Sequence, residues 1–90
     1  SNAVIKEGWA TRTPVITSDL PSNLELVTHE LDGLVFKNRN AADLAACIVR
    51  LVNDQELSDR LVAGGAESVT DYTDGKMADR YMALYKGLRG

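Results

Sequence analysis

Only two stretches of this chain can be strands, and that scarcity limits what it can fold into more than any other feature. Residues 13–19, Thr-Pro-Val-Ile-Thr-Ser-Asp, set β-branched residues between a proline that can open a strand and polar residues that close it. Leu34-Val35-Phe36 follows the tight-turn signal Asp32-Gly33 and is apolar throughout. Residues 4–11 lead into the first strand as a helix. After the turn chemistry of Leu20-Pro21-Ser22-Asn23, residues 24–28 have room for one or two helical turns. Two strands cannot make a doubly wound sheet with helices on both faces. The expected class is α/β with two or so short parallel strands and a helical tail, the missing strands coming from upstream sequence or from another copy of the chain.

The tail is three helices. Asn40 is an N-cap with Asp43 in the first turn, and Leu44, Ile48, Leu51 and Val52 recur at helical spacing as far as Asn53. Asp54 can cap the next helix, whose apolar side carries Leu57, Leu61 and Val69; Gly64-Gly65 weakens it by about 1 kcal/mol per glycine, so a kink or break is expected there. Thr73 can cap a last helix in which Met77, Tyr81, Leu84, Tyr85 and Leu88 share one face, with Lys86 and Arg89 near its negative end.

With 90 residues, 44% of them hydrophobic, the chain suits one small domain with a modest core. Net charge is -3 and the ten basic residues are scattered, which argues against nucleic acid and acidic membrane surfaces as partners. The single Cys47 cannot form an internal disulfide, and no Cys/His spacing suggests a metal site; no cofactor is implied, and a cytoplasmic location is expected. No apolar run approaches the roughly 20 residues of a membrane span. Ser1-Asn2-Ala3 has the form of a cloning remnant, which leaves residues 4–90 as native sequence that opens abruptly inside a helix, as a fragment of a longer protein would.

Several blocks in order carry a resemblance. Glu7-Gly8-Trp9-Ala10-Thr11-Arg12-Thr13-Pro14-Val15-Ile16 is similar to the Glu-Ala-x-Ala-x-Gly-x-Pro-Val-Ile stretch of family-4-like retaining glycosyltransferases. Ser18-Asp19-Leu20-Pro21-Ser22-Asn23-Leu24-Glu25 resembles that family's Ser-Asp-x-Pro-x-Asn-x-Glu variant, and Asp32-Gly33-Leu34-Val35-Phe36 its Asn/Thr-Gly-Leu-Leu-Phe element. Leu44-Ala45-Ala46-Cys47-Ile48-Val49-Arg50-Leu51 and Asp54-Gln55-Glu56-Leu57 then follow the family's helix and hinge. The resemblance implies the carboxy-terminal half of a GT-B donor-binding domain, Rossmann-like in fold. The whole enzyme would move a hexose from a nucleotide-diphosphate sugar to an acceptor hydroxyl, and the 90-residue chain alone would be inactive.

The same resemblance implies a role for Glu7. In the family, the second of two glutamates eight positions apart commonly bonds the ribose hydroxyls of the donor nucleotide, and Glu7 matches it; the first would precede residue 1. No catalytic residue and no metal ligand is implied within the chain. Arg12 stands where the family has Gly. A positive φ there would cost about 1 kcal/mol or more, so Arg12 is expected to take another conformation or the loop to be rebuilt.

Plainer roles are expected elsewhere. Glu25 is read as a cap or backbone partner, His29 as a solvated residue with no Asp or Ser at a useful spacing, and Cys47 and Trp9 as core. The apolar face of the last helix, without an amino-terminal domain to meet, would be exposed or would find another chain and so give a homo-oligomer. The competing expectation is a non-catalytic α/β module acting by self-association or partner binding.

Overall fold

The computed structural model describes residues 2–72. In chain order these form α1 (Asn2–Ala10), β1 (Ile16–Ser18), α2 (Pro21–Leu24), β2 (Leu34–Phe36), α3 (Ala41–Asn53) and α4 (Gln55–Asp71). The helix expected from Thr73, with Tyr81 and Tyr85, lies outside the described residues. The two strands pair in parallel, Ile16 with Leu34, Thr17 with Val35 and Ser18 with Phe36.

Period-2 alternation sends successive strand residues to opposite faces, and each face builds its own core. On one side Val15 and Val27 join Ile5 and Trp9 of α1, with Val35, Val69 and Tyr72 packed against them. On the other side Leu34 meets Cys47, Leu57 and Leu61, with Ile16, Phe36 and Leu51 alongside. α4 serves both layers: its first turns, through Leu57 and Leu61, cover α3, and its last turns, through Gly65 and Val69, cover α1. The fold is α/β, as expected, and Trp9 and Cys47 are core residues at 2% and 5% exposure.

Helix starts follow side-chain chemistry. The Asn40 side chain accepts from the Asp43 N–H at 2.9 Å and Asp54 from the Leu57 N–H at 3.0 Å, so both expected N-caps are present. Three expectations are corrected. β1 is shorter than residues 13–19, because the Thr13 N–H is taken by the Gly8 carbonyl at the end of α1 and Pro14 has no N–H to give. The short helix covers Pro21–Leu24 rather than residues 24–28: Pro21 fits the first helical position, and Leu26 and Val27 leave the helix to enter the core. α4 does not break at Gly64-Gly65, since those positions are where other backbone and ring atoms lie against it.

Candidate functional site

α1 is short and one-sided. Ile5 and Trp9 face the core, while Glu7 is exposed on the far side, beside Val4 and Thr11 by helical spacing. The Thr11 hydroxyl donates to the Glu7 and Gly8 carbonyls at 2.9 and 3.1 Å. The Glu7 carboxylate itself has no hydrogen bond or ion pair among the described residues. A groove of about 230 Å³ runs between α1 and β1, lined by Val4, Ile5, Gly8 and Thr13 through Ile16 but not by Glu7. Gly8 is the close point of that wall: a Cβ there would lie 3.1 Å from Val15 Cγ2. A five-residue connection joins α1 to β1; the last turn of α1 is tied near the amino ends of the strands, by the Thr13 N–H to the Gly8 carbonyl and by Trp9 Nε1 to the Asp32 carbonyl, while Val4 of its first turn lines the groove with residues up to Ile16.

At those carboxyl ends the loops are fixed internally. The Asn23 amide donates to the Ser18 carbonyl and hydroxyl at 3.2 and 3.1 Å, and the Asp19 carboxylate accepts from the Asn38 N–H at 2.8 Å. Thus the Ser-Asp-x-Pro-x-Asn block works as loop architecture. Glu25 is exposed and is the C-cap of α2, its backbone N–H donating to the Pro21 carbonyl at 3.2 Å, while its side chain bonds nothing among the described residues.

Arg12 is a correction. It sits at φ 59, neither avoiding the left-handed region nor rebuilding the turn. The Thr13 N–H reaches the Gly8 carbonyl at 2.9 Å and the Arg12 N–H reaches Trp9 at 3.2 Å, the paired bonds of a Schellman ending that needs a left-handed residue at Arg12. Its side chain borders a second groove of about 470 Å³ that also touches Leu31, Arg60, Gly64 and Glu67, at the end of α1 away from Glu7's first turns.

Two further arrangements were not visible in the sequence. Asp32 is a buried carboxylate at 3% exposure: Oδ1 accepts from the Thr28 N–H at 2.8 Å, Oδ2 from the Ser68 hydroxyl at 2.7 Å, and its carbonyl accepts from Trp9 Nε1 at 2.8 Å. The only signal, Asp-Gly, spoke of a turn, because Trp9 and Ser68 are 23 and 36 residues away along the chain. The second is Glu30, at φ 72, which takes a two-point contact from Arg50 of α3 and lies 3.5 Å from Arg60 of α4. The Arg50 hydrogen bond holds the Glu30 carboxyl below its usual range. His29, expected to be merely solvated, accepts the Val35 N–H on Nδ1 at 2.9 Å and so covers the outer edge of β2. Burial pushes the Cys47 thiol up, as befits a core residue and not a nucleophile.

No group of three potential metal ligands occurs among the described residues. Nor is any helix among them long and apolar enough to cross a membrane. Residues 3–68 match the family model described as glycosyl transferases group 1. The chain belongs to that family. This group 1 glycosyltransferase chain is 36% identical over 80 residues to the lipopolysaccharide core biosynthesis glycosyltransferase LpsD of Rhizobium meliloti, covering 88% of the chain and 23% of the relative. To the N,N'-diacetylbacillosaminyl-diphospho-undecaprenol alpha-1,3-N-acetylgalactosaminyltransferase of Campylobacter jejuni it is 31% identical over 81 residues, covering 90% of the chain and 22% of the relative. The sucrose-phosphate synthase of Thermosynechococcus elongatus has a similar structure, with a TM-score of 0.72 at 28% identity over 93% of this chain and 22% of that one. The glycosyltransferase chain therefore spans under a quarter of the length of the relatives it matches. Its α/β arrangement, with two parallel strands among the described residues, is that of part of a GT-B glycosyltransferase, as the resemblance implied.

Proposed function

We propose that this chain is the carboxy-terminal part of a retaining glycosyltransferase that moves a hexose from a nucleotide-diphosphate sugar to an acceptor hydroxyl. In this reading it contributes one wall of the donor site, and Glu7 accepts hydrogen bonds from the ribose hydroxyls of the nucleotide. The reading is carried by one observation: within a chain of this family, the carboxylate of Glu7 is exposed and uncommitted. An ionised carboxylate only accepts hydrogen bonds, and its two oxygens suit the two donors of a vicinal diol. Ligands of open α/β sheets bind outside the carboxyl ends of the strands, and it is the last turn of α1, beyond Glu7, that is tied near their amino ends. Relatives named as an N-acetylgalactosaminyltransferase and a mannosyltransferase support a six-carbon sugar or its N-acetylamino derivative as the group transferred in this reading, and no single sugar is chosen. Catalysis then rests on positioning and on electrostatic stabilisation of the departing diphosphate, which needs no acid/base pair within this segment.

Screening the full-length enzyme with uridine- and guanosine-diphosphate hexoses identifies the donor that is turned over. With that donor, Glu7→Ala is expected to raise KM by about tenfold or more, the worth of a hydrogen bond to a charged group. Glu7→Gln, which keeps one acceptor oxygen, should fall between Glu7→Ala and the parent. A donor KM unchanged within about twofold, when the bond should be worth tenfold, would remove the assignment.

A further inference from the structure

We propose that Trp9, Asp32 and Ser68 form a positioning lock that fixes α1, and through it the carboxylate of Glu7, at the donor site; this rests on the donor-site reading above. α1 has nine residues, too few to hold a helix in water without tertiary support. It is held by the buried face that carries Ile5 and Trp9, with Lys6 set over the Tyr72 ring beside it. Apolar contact is non-directional and sets the position of a short helix less sharply than a hydrogen bond of fixed length and angle. The polar contact at Trp9 supplies that sharper constraint.

Trp9 Nε1–H donates to the Asp32 carbonyl at 2.8 Å, and both residues are almost wholly buried. Asp32 cannot follow a moving indole, since one carboxylate oxygen is held by the Thr28 N–H and the other by the Ser68 hydroxyl of α4. α4 also walls in the ring: a Cβ added at Gly65 would run into Trp9 Cδ1. The indole is therefore gripped at its nitrogen and backed along its edge by the same helix that anchors the acceptor.

Glu7 lies two residues before Trp9 on the same rigid element, and no side chain among the described residues holds its carboxylate. Where that carboxylate sits is set by α1 alone. A shift of the helix by about 1 Å passes undiminished to Glu7, and misplacements of that size are enough to lower the efficiency of a binding or catalytic group. Trp9, Asp32 and Ser68 touch no substrate in this scheme. They are positioning residues, and their effect should appear in the binding of donor.

The test is a double-mutant cycle on the full-length enzyme, using whichever uridine- or guanosine-diphosphate hexose it turns over. Trp9→Phe keeps a buried ring and removes the N–H, and is expected to raise donor KM about three- to tenfold, as loss of one hydrogen bond does, with kcat little changed. In a Glu7→Ala background the same substitution should have almost no further effect on KM, because the residue it acts through is gone. Ser68→Ala, which loosens the lock from the α4 side without touching the indole, should couple to Glu7→Ala in the same way and serves if Trp9→Phe folds poorly. Effects that simply multiply, or a loss confined to the active fraction with KM unmoved, would overturn the lock while leaving Glu7 as a donor ligand. A silent Glu7→Ala would instead overturn the donor reading, and the lock with it.

Discussion

Arg12 shows how a single position can be found in a sequence and still be misjudged. Its departure from the family's glycine marked it out, and the cost of a left-handed arginine suggested that the backbone would avoid the conformation. It does not, because two hydrogen bonds at the end of α1 close only when Arg12 is left-handed, and the following Thr13-Pro14 must turn at once into β1. The packed elements on either side outweigh a local penalty of about 1 kcal/mol. No ion pair or hydrogen bond of the guanidinium among the described residues offsets that penalty. Arg12→Gly is accordingly expected to stabilise the 90-residue chain by about 1 kcal/mol, read as a higher urea midpoint at unchanged slope. A midpoint that stays put or falls would mean that the arginine side chain contributes as much as its backbone costs. Glu7 became a candidate for a different reason: the blocks around it are contiguous in sequence. Asp32 did not, since nothing near it in the chain reveals that Trp9 and Ser68 will meet it.

At the scale of elements, the sequence was most readable where one residue's side chain decides the outcome locally. Asn40 and Asp54 cap α3 and α4 by bonds spanning three residues, and Leu34–Phe36 forms β2 as its apolar, β-branched run suggests. It was least readable where a distant element intervenes. Gly64-Gly65 reads as a break by propensity, yet α4 passes through both without interruption. The glycines are there because α4 crosses two elements closely: a Cβ at Gly64 would strike the Leu31 carbonyl, and one at Gly65 the Trp9 ring. Helix propensity and packing therefore make opposite predictions for Gly64→Ala. Propensity offers a gain of about 1 kcal/mol, whereas overlap with a backbone carbonyl that cannot rotate away costs about 1–3 kcal/mol or more. The expected result is a net loss of stability and a lower thermal midpoint, with α4 displaced from the Leu31–Asp32 loop. A rise in midpoint would show that the loop yields easily and that the glycine is not required by the crossing.

For the whole molecule, what the described residues supply matters less than what they leave open. The sheet has two strands, and the outer face of α3 exposes Ile48, Val49 and Val52, the last at 77%. The groove between α1 and β1 is lined among the described residues by Val4, Ile5, Gly8 and Thr13 through Ile16, none of them cationic. Among the described residues, Lys6 is turned to the Tyr72 ring at 4.7 Å, and Arg50 and Arg60 are directed to Glu30. A departing nucleoside diphosphate develops charge that must be met by fixed donors, and that contribution is commonly the largest in such a reaction. A carboxylate such as Glu7 can orient a ribose, but it repels a diphosphate instead of stabilising it. The 90-residue chain is therefore expected to transfer no radiolabelled hexose from uridine- or guanosine-diphosphate donors to any acceptor that the full-length enzyme uses, and to bind those donors too weakly for calorimetry. Turnover by the purified chain at a rate near that of the full-length enzyme would mean that the diphosphate is met by groups within these 90 residues, and that the donor site is not divided between this segment and the rest of the protein.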